Sequence, residues 1–105
     1  MSENAQGSFI STNGYKFIAT FTIDGDDYIY AGSINPNIGP IEAVATIAYG
    51  SESDLAMTRS FTGRIGASKI NIRIANGPII TGNLPASNHV DPAISVEGSG
   101  TWVIA

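Results

Sequence analysis

Between Lys69 and Ile74 the chain alternates polar and apolar residues without a miss. Period two puts Ile70, Ile72 and Ile74 on one face of a strand and Lys69, Asn71 and Arg73 on the other. The pattern predicts a half-buried strand between Gly66 and the Asn76-Gly77-Pro78 turn. Its basic face is turned to solvent or to a partner.

The same period runs from Tyr15 to Ile23, with Tyr15, Phe17, Ala19, Phe21 and Ile23 sharing a face. Asp24-Gly25-Asp26-Asp27 is a hairpin signal, and Tyr28 to Gly32 forms the return strand. A loop of Asp24-Gly25 sets Phe21 opposite Tyr28, whereas a four-residue loop sets Ile23 there. Both registers place Tyr15, Phe17, Phe21, Tyr28 and Tyr30 on one face. These are five of nine aromatics (four Tyr, four Phe, one Trp), so the hairpin is expected to be the heart of the core.

Elsewhere a short strand is expected at Phe9-Ile10, after a flexible segment 1–7 of small polar residues. Asn35 to Pro40 reads as a loop. Ile41 to Tyr49 is the one segment with a helical alternative, but its β-branched residues and the Gly50 after it favour strand, and Leu55 to Phe61 alternates again. Asn76-Gly77 suggests a two-residue turn, but Pro78 has no amide to close it, so a wider loop is expected. Strands Pro78 to Leu84, Ala93 to Val96 and Thr101 to Ala105 follow, with 85–92 the longest irregular stretch. About 7–9 short strands at this spacing predict an all-β fold over 8–105. The architecture is a single antiparallel β-sandwich or a small flattened β-barrel.

Composition narrows the function classes. Charged residues make up 13% of the 105, so Ser, Thr, Asn and Gly must dress much of the surface. Five basic against nine acidic residues give a net charge of −4, which argues against a nucleic-acid partner. With no Cys, disulfides, thiolate metal sites and cysteine nucleophiles are excluded. No integral membrane helix is expected, since no apolar run approaches ~18 residues. Met1-Ser2-Glu3-Asn4 does not resemble a signal peptide. The chain is therefore expected to be cytoplasmic at synthesis, although a mature secreted fragment with an added Met would look the same.

The candidate chemistry is sparse. Ser87, His89 and Asp91 superficially resemble a triad, but strand neighbours two apart lie about 7 Å from each other, beyond nucleophile–base reach. Asp24, Asp26 and Asp27 offer oxygen ligands without the spacing of a calcium loop. Glu52 and Asp54 make a second acidic tip. No carboxylate pair stands out for glycoside hydrolysis, so no catalytic residue, metal or cofactor is assigned and the protein is expected not to be an enzyme. Arg59, Arg64, Lys69 and Arg73, four of the five basic residues, fall within fifteen positions. They are expected to form a positive stripe if their strands pair, with an exposed Ile80 beside it.

The function expected from these residues is a non-catalytic binding module, lectin-like or otherwise, for a polar ligand such as carbohydrate. Its loops would gather at one end of the sheet: Asp24, Asp26 and Asp27; Asn35 and Asn37; Asn88, His89 and Asp91. One alternative is a structural or self-assembling protein whose partner is itself, a homo-oligomer built through sheet faces. The other is a small barrel holding an apolar ligand, for which little room is left once side chains fill it.

Overall fold

Burial alternates along the strands Lys16–Ile23, Ile41–Tyr49 and Lys69–Ile74 and over parts of the others, and the buried set meets inside a closed barrel. The computed structural model describes residues 3–86 and 89–105. Its strands are β1 (Glu3–Ser11), β2 (Lys16–Ile23), β3 (Asp26–Asn35), β4 (Ile41–Tyr49), β5 (Thr58–Ala67), β6 (Lys69–Ile74), β7 (Ile79–Asn83) and β8 (Val90–Ile104). They pair antiparallel in the order β1-β2-β3-β8-β5-β6-β7-β4, and β4 returns to β1 to close the ring. Closure gives each described strand a neighbour on both sides.

The β2–β3 hairpin uses the two-residue turn. Asp24 and Gly25 both take positive φ, 52° and 83°, as a type I′ turn requires. Phe21 consequently lies opposite Tyr28. Ile70, Ile72 and Ile74 are buried and Lys69, Asn71 and Arg73 exposed, as their alternation predicts. The β6–β7 connection is the wider loop: the Ile74 amide donates to the Pro78 carbonyl at 2.9 Å, and Arg73 pairs with Ile79.

Aromatic rings fill the interior. Phe9 stacks on Phe17 at 5.5 Å, Phe61 meets Phe17 edge-on at 5.3 Å, and Trp102 lies 4.8 Å from Tyr30. Two glycines make the wall thin enough for this packing. Gly32 and Gly100 are direct partners across β3 and β8. A Cβ on Gly32 would run into the Ser99 carbonyl, and one on Gly100 would meet the Tyr30 ring. Such positions let strands bend tightly around a small barrel.

Four expectations are corrected. The segment 3–7, expected to be flexible, belongs to β1, whose pairing with β4 runs from Glu3–Tyr49 to Ser11–Ile41 and supplies its backbone bonds. Tyr15 falls in the turn before β2 and is 60% exposed, so it leaves the aromatic face. The alternation from Leu55 is broken at Met57, which takes φ 69° in a turn before β5. Ile80 is wholly buried, because pairing with Ile72 turns it inward. Ile79 occupies the outer position beside Arg73 instead.

Antiparallel order assigns each loop to one end of the barrel. The start of β1, the β2–β3 turn, the β4–β5 connection and the β6–β7 loop share one end. The β1–β2 turn, the 36–40 loop, Ser68 and the approach to β8 share the other.

Candidate functional site

The first end collects most of the acid. Glu3 opens β1, Asp24, Asp26 and Asp27 form or flank the β2–β3 turn, and Glu52 and Asp54 sit on a 3-10 turn, Glu52–Asp54. Local bonds fix that turn. The Ser51 hydroxyl accepts from the Ser53 amide at 3.3 Å, and the Asp54 carboxylate accepts from the Ser51 amide at 3.2 Å. The Asn76 side chain donates to the Asp54 carbonyl at 2.9 Å. Beneath it Leu55 is buried in the core cluster.

The two acidic tips thus meet in space. The Tyr28 hydroxyl donates to Glu52 Oε1 at 3.1 Å, and Thr22 donates to Asp27 at 3.0 Å. Glu3, Asp24, Tyr49 and Glu52 line one open cavity of about 540 Å³, with Thr22 and Ser51 on its rim. Burial, then the bond to Glu52 and the charges of Glu52, Asp26 and Asp24, raise the Tyr28 hydroxyl above its ordinary value. Burial and the charges of Glu52, Glu3 and Asp24 raise Tyr49 likewise. Both hydroxyls therefore stay protonated near neutral pH. The cavity offers the carboxylates of Glu3, Asp24 and Glu52 as acceptors beside the Tyr49 phenol, the complement of hydroxyl- or amine-bearing molecules. Among the described residues no group of three His, Cys, Asp or Glu side chains could hold a metal ion.

Glu3 and Tyr49 were not foreseen at this site. Glu3 carries no local signal, since only its pairing with Tyr49 brings it there. Tyr49 was legible in part, being the last apolar residue before Gly50 and so at a strand end.

The remaining loop residues lie at the far end. Asn35 ends β3, and Asn37 serves its own loop: its amide donates to the Asn13 carbonyl at 3.2 Å and its oxygen accepts from Gly39 at 2.7 Å. His89 and Asp91 are exposed at the start of β8. Asn88 lies outside the described residues. The expected single cluster is therefore divided: Asp24, Asp26 and Asp27 are a barrel length away from Asn35, Asn37, His89 and Asp91. All pairings in the ring are antiparallel, so successive connections alternate between its two ends, and these loops fall on opposite sides of that count.

The side wall brings three cations together. Arg64 on β5 pairs with Asn71 on β6, so Lys69 and Arg73 are its two diagonal neighbours. All three are exposed on the outer face. Arg59 does not join them. It shares the inward phase of Phe61 and Ile65, is half-buried, and donates from Nε to the Ala56 carbonyl at 3.1 Å.

The chain matches no family model, no curated relative and no solved structure.

Proposed function

We propose that the protein is a non-catalytic binding module that takes a small polar ligand at the acidic end of the barrel. One observation carries this reading: Asp24 and Glu52, remote in sequence, line the same open cavity with Glu3 and Tyr49. The chemistry favours a polyhydroxylated or amine-bearing molecule, an amino sugar being the simplest with both properties. Carboxylates accept its hydroxyl and ammonium protons, and the Tyr49 hydroxyl donates back. The non-catalytic part of the reading is supported by exposure, since Glu3, Asp24 and Glu52 stand in solvent rather than in the desolvated setting of proton-transfer sites. An apolar ligand inside the barrel is disfavoured, because Phe9, Phe17, Tyr30, Phe61 and Trp102 occupy the interior.

The test is a titration of ¹⁵N-labelled protein with glucosamine, N-acetylglucosamine and a panel of neutral oligosaccharides. Binding should move the amides of Thr22 to Asp24 and Gly50 to Glu52. The Asp24→Asn/Glu52→Gln protein, which loses both charges and keeps their acceptor oxygens, should bind at least about tenfold more weakly. Silence at these amides across the panel would remove the reading.

A further inference from the structure

The barrel is electrically two-sided. Six of its nine acidic residues, Glu3, Asp24, Asp26, Asp27, Glu52 and Asp54, gather at one end. Three of its five basic residues, Arg64, Lys69 and Arg73, gather on the β5–β6 wall. These three cations form no ion pair with any described residue of their own chain. Across the wall β8 carries Asp91 near its start and Glu97, which pairs with Thr62, itself the partner of Arg73. Two strand spacings, ~10 Å, separate that carboxylate from the arginine's strand. The surroundings of the cations are neutral: Thr62, Asn71, Thr81 and Ser95.

We infer that the β5–β6 wall is a docking surface for the acidic barrel end of a second copy of this chain. The argument is charge complementarity between two surfaces that one molecule cannot bring together. Lys69 and Arg73 are four residues apart on one strand, ~13 Å, with Arg64 between them on the neighbour. Closure of the barrel removes strand addition as a route to assembly, leaving walls and ends. A wall-to-end contact is heterologous, so each docked copy offers a further wall and a further end, and assembly runs on as a ring or chain. Exposed pairs are individually weak and screened by salt. The contact is therefore concentration-dependent and strongest at low ionic strength. It stands whether or not the cavity takes a small ligand, although a docked neighbour would cover that cavity.

Sedimentation velocity on the intact chain tests it. At millimolar protein and ~10 mM salt the weight-average mass should rise with concentration, and at ~1 M salt it should return to the monomer. A wall variant, Arg64→Glu/Lys69→Glu/Arg73→Glu, and an end variant, Asp26→Lys/Asp27→Lys/Glu52→Lys, should each stay monomeric alone. Mixed, they should assemble again, since each then presents the surface the other lacks. The unmodified protein in the two salts keeps the test decisive should either variant misfold. A monomer at low salt would overturn the inference. So would assembly that persists at ~1 M salt, which would move the contact to the apolar outer wall around Ile18 and Val44. A mixture that stays monomeric while both variants are folded would overturn it as well.

Discussion

Tyr30 reaches past β8 to donate its hydroxyl proton to the backbone carbonyl of Arg59 on β5, 2.6 Å away. Gly100 makes the reach possible, because a side chain there would meet the Tyr30 ring. The bond ties together strands that are not neighbours in the sheet.

Burial pushes the Tyr30 hydroxyl up to about 12, against 10.0 for a free tyrosine, with the Gly100 backbone pulling weakly the other way. As pH rises, the unfolded chain releases this proton first. The native state then holds the extra proton, so the stability that Tyr30 contributes is whole below pH 10 and is lost as pH climbs towards 12. Denaturant melts across this range should show that loss. Tyr30→Phe should cost roughly 1 kcal/mol at neutral pH and flatten the alkaline slope. Tyr28 and Tyr49, raised in the same direction, keep part of it. An unchanged slope in the variant would assign the effect to other groups.

Ile72 and Arg73 are neighbours with opposite fates. Ile72 is buried in the core and Arg73 is exposed on the wall. Ile72→Asp buries an unpaired charge and should cost about 4 kcal/mol or more, enough to unfold most small domains. Arg73→Ala should stay within about 0.5 kcal/mol of the parent. Thermal melts of both proteins check the assignment, and equal small shifts would contradict it.

The same contrast marks how far the chain can be read. Ile70, Ile72 and Ile74, and the Phe21–Tyr28 register, follow from period two and one turn type, because both are local. Closure is not local: nothing between Glu3 and Ser11 announces a long strand, since its partner β4 supplies the backbone bonds. The inward phase of Ile80 is not legible for a related reason. With Pro78 in the loop, the phase of β7 is set by its pairing to Ile72 rather than by its own sequence. The acidic site was half legible. Asp24 and Glu52 read as tips, but their meeting depends on which end of the barrel each connection reaches.

Gly32 tests the thin wall. A Cβ there collides with the Ser99 carbonyl of the paired strand, and backbone cannot swing aside as a side chain can. Gly32→Ala should therefore cost about 3 kcal/mol, the upper end of overpacking. Gly50 is the control, with its added Cβ no nearer than 3.5 Å to the Asp54 carboxylate and no positive φ to strain. Gly50→Ala should be neutral or stabilising by about 0.5 kcal/mol. Chemical denaturation separates the two, and a Gly32→Ala protein as stable as its parent would mean that the strands can part without loss.

Leu55 links stability to the candidate site. It follows the 3-10 turn that carries Glu52, and it is buried although no strand contains it. Its amide donates to the Glu52 carbonyl at 3.0 Å, so the side chain in the core and the carboxylate at the rim are held by one turn. Leu55→Ala should cost about 2–5 kcal/mol. Glu52→Gln, which keeps an acceptor for Tyr28, should cost less than about 1 kcal/mol. Hydrogen exchange should then report faster opening of the Ser53 to Leu55 amides in Leu55→Ala than in Glu52→Gln. If both variants exchange alike, the turn is held by its capping bonds at Ser51 and Asp54 rather than by the buried leucine.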